Sequence, residues 1–309
     1  MLVSICIITY KRKDKLKQLL ESLNLLKFEE IEPPQIEVIV VDNDTEGVVA
    51  EVCREVQSKY RWQLKTAVEP QRGITYARNK SVALASPDSD FIAFTDDDEV
   101  VDPYWIQNLL LAQEKYSADI VTGPNLPCFV EDVPQWVIKG DFFTPPRWET
   151  GTPVSVAFTN NVLVKAEILR RLDPVFDNRF ALAGGSDAYL FMNLHQEGYK
   201  TIWANEAIVY DGIPASRTNL RWILLRGYRT WSNYSSFEKE MYPSFVRQFI
   251  RAVKGFALVV IGISKSLPSL FLGKAALVWA LLYIFRGMGT LGGLANIFYE
   301  EYKYLKTSP

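Results

Sequence analysis

Residues 91–100 read FIAFTDDDEV. A short apolar run ends in Asp96, Asp97 and Asp98, with Glu99 directly behind them. Like charges this close repel. A solvated turn tolerates them; a bound cation gives a reason for them. Asp96 and Asp98 are one residue apart, so in a turn both can point to the same side. One carboxylate can then bind a divalent cation while the other holds a hydroxyl or the ion's water. Magnesium takes such sets, one or two carboxylates completed by phosphate oxygens of a ligand. The cysteines (Cys6, Cys53, Cys128) are scattered and there is one histidine, which argues against zinc.

Working outward, the apolar run before the acids is one of several. Residues 2–9, 36–44, 62–68 and 90–96 read as short buried strands. Between them, 12–26, 46–60 and 73–85 show helical spacing, the first through Leu16, Leu19, Leu20, Leu23 and Leu26. Strands alternating with helices predict an α/β fold with a mostly parallel sheet. Ligands in such sheets sit beyond the carboxyl ends of the strands. Asp42 and Asp44 fall at one such end, and Asp96 to Asp98 at another. A helix over 103–115 and a strand near 119–123 follow. Residues 124–153 carry prolines 124, 127, 134, 145, 146 and 153 and predict a long irregular loop. Regular structure resumes with a strand at VLVK, a helix from about 165, a helix over 186–197, one or two strands in TIWANEAIVYD, and a long helix from about 218.

The 309 residues, 48% of them hydrophobic, suffice for a large core. The net charge of -2 is uneven: the first 240 residues carry -8 and the remainder +6. That distribution is unlike a general nucleic-acid binder. It suits a tail that meets an anionic surface such as the cytoplasmic face of a membrane. Between residues 255 and 298 the only charges are Lys265, Lys274 and Arg286, and no uninterrupted apolar piece exceeds twelve residues. A spanning helix needs about 20. Interfacial or re-entrant helices are therefore expected, with an oligomer interface or a buried helical core as alternatives. The division expected is a domain over 1–240 and a helical, membrane-associating region over 241–309. The opening MLVSICIITYKRK has its basic residues behind the apolar run, the reverse of a signal peptide, and reads as a buried strand.

The segments VSICIITYKRKDKL, VIVVDND, QRGITYARNKSVALA, FIAFTDDDEVVDPYWI and GGSDAYLFMNLHQEGYKTIWANEAIVYD stand in this order. The set resembles family 2 glycosyltransferases of the GT-A fold, over roughly residues 2–235. The pattern is most similar to bacterial exopolysaccharide enzymes of the succinoglycan-biosynthesis type. The resemblance implies an inverting, metal-dependent transfer from a nucleotide-sugar, a UDP-sugar by preference, to a saccharide acceptor, lipid-linked given the tail. It implies Mg²⁺ or Mn²⁺ as cofactor and a place on the cytoplasmic face of the bacterial inner membrane, peripheral or monotopic.

Residue by residue, the resemblance implies that Asp42, with Asp44 nearby, holds the nucleoside. Arg78 would orient the acidic turn or contact the base, with Arg72 beside it. Asp96, with Asp97, would meet the donor and its ribose, and Asp98 the metal. Asp187 in GGSD would be the base that takes the acceptor's proton. Arg226 and Arg229, three apart on one helix face, would neutralise the diphosphate. Ser186 stands where many relatives carry Glu, and the Q-x-x-R-W form is absent. Trp136, Phe142, Phe143 and Trp148 would either stack on a sugar or pin the loop to the core. A strand-end or helix-start acid that only caps the next helix remains the plainer reading of Asp42 and Asp187. A hydrolase or a nucleotidyltransferase fits less well, the latter because TYKRKDKL has no glycine. A non-catalytic nucleotide-sugar-binding protein on a membrane is the alternative of a different class.

Overall fold

The computed structural model describes residues 1–45 and 48–297. Contacts divide the chain into two compact units, Met1–Pro127 with Pro145–Gly212, and Cys128–Thr144 with the chain from Ile213 onward.

In the first unit the alternation is as expected. β1 (Leu2–Thr9), α1 (Lys13–Asn24), β2 (Gln35–Asp42), α2 (Val48–Gln57), β3 (Gln63–Val68), α3 (Ile74–Leu84) and β4 (Phe91–Phe94) follow one another. The helix expected from residue 46 has its first two positions outside the described residues. Next in chain order come β5 (Glu99–Val101), α4 (Trp105–Tyr116), β6 (Ile120–Thr122), β7 (Asn125–Phe129), α5 (Gln135–Gly140), which belongs to the second unit, β8 (Val162–Lys165), α6 (Ala166–Leu169), α7 (Ser186–Gln196), β9 (Thr201–Trp203) and β10 (Val209–Ile213). The main sheet has seven strands in the order β3-β2-β1-β4-β8-β6-β9. The pairs β1–β2, β1–β4, β2–β3 and β6–β9 are parallel; only β8 runs against its neighbours β4 and β6. This is the large, mostly parallel sheet that the sequence predicts. Its central strands are buried on both faces, which is why β1, β2 and β4 read as near-continuous apolar runs. Leu16, Leu19, Leu20 and Leu23 of α1 pack on one face with Ile5, Ile7 and Trp105 in the same cluster. Phe94, Phe176, Leu190 and Phe191 pack on the other.

The segment 124–153 is more ordered than its prolines predict. β7 lies within it, at the edge of a small sheet ordered β5-β10-β7, and an edge strand tolerates Pro127. α5 is six residues long, too short to show a period.

In the second unit, α8 (Leu220–Met241), α9 (Phe245–Leu272) and α10 (Lys274–Leu294) pack with residues 128–144. Trp136, Phe142 and Phe143 pack here against Trp222 and Trp279, with Phe143 stacked on Trp222 at 5.7 Å. The Trp279 indole N–H donates to the Gly140 carbonyl at 2.8 Å. These three aromatics therefore pin their loop. Trp148, in the first unit, stands edge-on to Trp203. α10 approaches its neighbours through glycines: a Cβ at Gly289 would collide with the Tyr228 carbonyl, and one at Gly293 with the Ser232 carbonyl. Small residues four apart let helix backbones come this close.

The charges inside the apolar tail do not end its helices. Lys265 lies over the Tyr283 ring at 4.7 Å, and Arg286 over Trp279 at 5.3 Å. Aromatic faces take up the cations, so helices of 28 and 21 residues run through them. Both are long and apolar enough to cross a membrane.

Candidate functional site

The acid turn follows β4, a fully buried strand between β1 and β8. Glu99 braces it from beneath. Its Oε2 accepts from the Thr95 hydroxyl and from the Asp96 amide, each at 2.8 Å, and its Oε1 accepts from the Asn125 side-chain amide. Burial pushes this carboxyl well above the ordinary carboxylate range. The three aspartates then diverge. Asp97 turns inward: Oδ2 accepts from the Thr9 hydroxyl at 2.7 Å and Oδ1 from Arg12 at 2.9 Å. Both oxygens of this expected nucleotide contact are thus engaged by β1 and the loop after it. Asp98 stays beside Arg12 at 3.1 Å. Asp96 leans toward Arg78, 3.5 Å away, with more than a third of its side chain exposed. The repulsion that the sequence raises is met by two arginines, one from the loop after β1 and one from α3.

The second acid group ends β2. Asp42 and Asp44 are buried, and the Asp44 amide donates to Asp42 Oδ1 at 3.0 Å. Burial raises the Asp42 carboxyl, the Asp44 amide working against it. Among the described residues, Asp42 Oδ2 and Asp44 Oδ2 have no hydrogen-bond partner. Buried carboxylate oxygens left so are acceptors fit for a ligand's N–H or O–H. Lys11, at a backbone φ of 55°, brings its ammonium to 3.7 Å from Asp44. Between the two acids, Asn43 ties down the loop that holds Arg72. Its amide donates to the carbonyls of Glu69 and Gln71, and its oxygen accepts from the Gly73 amide. Gly73 has a φ of 146°, and a Cβ there would meet the Ala181 Cβ at 2.8 Å.

α3 joins both acid groups to Asp187. Asn79 is hydrogen-bonded to the Phe176 backbone in both directions, at 2.8 and 2.7 Å. The Thr75 hydroxyl donates to Asn178, and the Ile74 amide to the Ala181 carbonyl. These bonds fix the segment leading into Gly184 and Gly185, whose positive φ values of 76° and 88° bend the chain into α7. Arg78, itself buried, reaches Asp96 with one nitrogen and the Ser186 hydroxyl with the other, at 3.3 Å. Asp187 is the next residue, in the first turn of α7. The Ser that replaces the Glu of many relatives is therefore an arginine partner.

The carboxylates in this cleft act on one another. Desolvation, opposed by Arg78 and reinforced by Asp98, Asp97 and Asp187, pushes Asp96 up to about 6. Ionising Asp96 thus costs more in the folded protein than in the unfolded chain. Stability should fall as pH rises from about 4 to about 6, and an added divalent cation should oppose the fall. Melting temperatures of the wild type and Asp96→Asn across that window test this; the variant's profile should be flatter there.

Among the described residues no three His, Cys, Asp or Glu side chains form a closed metal cage. Asp96 and Asp98 supply hard oxygen donors, which fits an open magnesium- or manganese-type site completed by a ligand's own oxygens. Arg226 and Arg229 lie on α8 in the second unit, Arg226 over the Trp222 ring at 5.2 Å. Sequence reasoning missed Arg12, Lys11, Asn43 and Asn79. The basic run TYKRK right after a central strand was the available signal for the first two.

The model of the family described as glycosyl transferase family 2 matches residues 4–173. The chain is 29% identical over 229 residues to the succinoglycan biosynthesis protein ExoM of Rhizobium meliloti (strain 1021), covering 74% of this chain and 72% of that protein. Among solved structures it resembles S. aureus TarS 1-349 in complex with UDP, with a TM-score of 0.53 at 15% identity, covering 92% of this chain and 90% of that one. It also resembles the mannosyltransferase PcManGT from Pyrobaculum calidifontis in complex with GDP-Man and Mn²⁺, with a TM-score of 0.62 at 16% identity, covering 96% and 87%. At these identities the two structures speak for the fold, the GT-A-type α/β sheet.

Proposed function

We propose that this chain, which belongs to glycosyl transferase family 2, moves a hexose from a UDP-sugar to a saccharide acceptor, with inversion. The observation that carries this reading is the polar chain running from Asp96 through Arg78 to Ser186, the neighbour of Asp187. The curated relative acts in succinoglycan biosynthesis, and the fold neighbours bind UDP or GDP-Man with Mn²⁺. These support bacterial polysaccharide or glycolipid assembly, a nucleotide-sugar donor and a divalent ion.

In this reading Asp42 accepts a hydrogen bond from the nucleoside through Oδ2, with Asp44, ion-paired to Lys11, beside it. Arg72 and Arg78 border the base, Asp96 meets the ribose, and Asp98 holds the ion, Mg²⁺ or Mn²⁺. When bound, that ion supplies positive charge to the departing diphosphate. Asp97 serves by fixing Arg12, which keeps Asp98 in place. Asp187 takes the acceptor hydroxyl's proton as the oxygen attacks the anomeric carbon. The bond to the diphosphate breaks on the opposite face, and the nucleoside diphosphate leaves with the electron pair. The apolar helices support a lipid-linked acceptor and a place on the cytoplasmic face of the inner membrane.

Screening nucleotide-sugars for thermal stabilisation, followed by turnover, tests the proposal. A UDP-sugar at about 100 times its dissociation constant should raise the melting temperature by roughly 5 °C with Mg²⁺ or Mn²⁺ present, and much less with a chelator. Stabilisation without turnover on any saccharide would favour the non-catalytic binding protein instead.

A further inference from the structure

We propose that the outer face of α9 lies flat in the surface of an anionic bilayer along its whole length, and that neither α9 nor α10 crosses it. This rests on the membrane association proposed above and adds its geometry.

Length alone allows a span, since α9 is about 42 Å long and α10 about 32 Å against a hydrocarbon core of about 30 Å. The side chains do not. Phe245, Phe249, Val253, Phe256, Val260, Ile263, Leu267 and Leu270 are all exposed, and they recur every three or four residues. They form one unbroken apolar stripe from the first turn of α9 to the last. Gly255, Gly262 and Ser269, seven apart, form the buried face. Arg247, Lys254 and Lys265 share a third helical phase, spaced by 7 and 11 residues, or two and three turns. In a helix lying flat, these three cations share one depth at the polar margin, where Lys254 meets lipid phosphates while Arg247 and Lys265 rest over the Tyr242 and Tyr283 rings. In a helix crossing the bilayer they would sit about 10 and 16 Å apart in depth, with Lys254 inside the hydrocarbon. Between Met241 and Ile297 there is no acidic residue to oppose an anionic surface.

The neighbours of α10 point the same way. α10 is covered, with only Lys274 and Met288 exposed along it. α9 packs on one side through the Gly287–Gly255 contact. α8 packs on another, through Ser235, whose hydroxyl donates to the Thr290 carbonyl, and Lys239, which donates to the Leu294 carbonyl. α8 exposes Arg221, Arg226 and Glu240. α5 covers the first half of α10, bearing exposed Lys139. A spanning α10 would carry these charged elements into hydrocarbon, at a cost of several kcal/mol for each central charge. The three helices thus have a wet side, α8, and a greasy side, α9, with the glycine-rich α10 between them.

The test uses the full chain in a Cys128→Ser background, leaving only the buried Cys6 and Cys53. Val253→Cys and Leu267→Cys, both on the apolar stripe, each carry an environment-sensitive fluorophore. Depth is read by lipid-attached quenchers in vesicles of phosphatidylethanolamine and phosphatidylglycerol. The expected result is equal depth at the two positions, within the headgroup–acyl boundary, with at least about tenfold weaker partitioning into neutral vesicles. A depth difference near 20 Å, the rise over fourteen residues, would overturn the flat geometry while leaving membrane association intact. Absence of quenching at both positions, with no flotation on vesicles, would overturn the membrane reading itself. Concentration-dependent dimerisation that protects both positions would assign the stripe to a second copy of the chain and sink the proposal.

Discussion

Asp187→Asn is expected to lower kcat by about 10² to 10⁴ while leaving the donor dissociation constant nearly unchanged. The expectation follows from where Asp187 stands. It lies in the first turn of α7, and its neighbour Ser186 is buried and bound to Arg78. The carboxylate itself is half-buried, and its Oδ1 accepts a hydrogen bond from the Ala188 amide. Asn keeps the size and an acceptor oxygen, so α7 and its approach through Gly184 and Gly185 should survive. What it loses is a group that can take a proton. Single-turnover kinetics beside equilibrium donor titration separate these effects. A helix-capping acid would give the opposite pattern, with lower thermal stability and ordinary turnover.

Asp98→Ala is expected to remove at least about 100-fold of the gain in donor affinity that Mg²⁺ or Mn²⁺ provides, since even groups behind a metal's direct ligands are commonly worth 10- to 100-fold. The fold should tolerate the change. Arg12 retains Asp97 at 2.9 Å, and Asp97 retains Thr9. In a chelator the wild type and the variant should therefore bind the nucleotide-sugar with similar, weak affinity, the difference opening only as metal is added. Calorimetric titration with and without the ion reads this directly. A variant weakened equally in both conditions would place Asp98 in the donor contact or the fold instead of at the ion.

Much of this arrangement is visible in the sequence because parallel strands buried on both faces leave an unmistakable signal. FIAF and IEVIVV can hardly be other than central strands, and their acids then fall at the carboxyl end of the sheet. The pairing of Arg78 with the acidic turn is one of the two roles that the family resemblance implies for it, the other being contact with the base. The rest depends on side-chain direction. Asp96, Asp97 and Asp98 look alike in sequence, yet one faces the cleft, one is held by Thr9 and Arg12, and one sits against Arg12 alone among its cationic neighbours named above. Arg12 was hidden among four basic residues in KRKDK, where nothing distinguishes the one that turns inward. Asn43 and Asn79 act through the backbone of distant segments, a kind of contact that leaves no local pattern. The length of the tail's two apolar helices was hidden by their charges. Counting uninterrupted apolar pieces assumes that every Lys and Arg needs water, whereas Lys265 and Arg286 lie on aromatic rings.

The most direct measurement is a crystal structure of the chain with a nucleoside diphosphate and Mn²⁺. Expected are an Asp98 oxygen at about 2.0–2.2 Å from the ion, the nucleoside against Asp42, and Asp187 facing the open side of the diphosphate where a sugar carbon would stand. A nucleotide bound elsewhere, with no Asp98 oxygen at the ion or with Asp187 turned away from the diphosphate, would contradict the shared site.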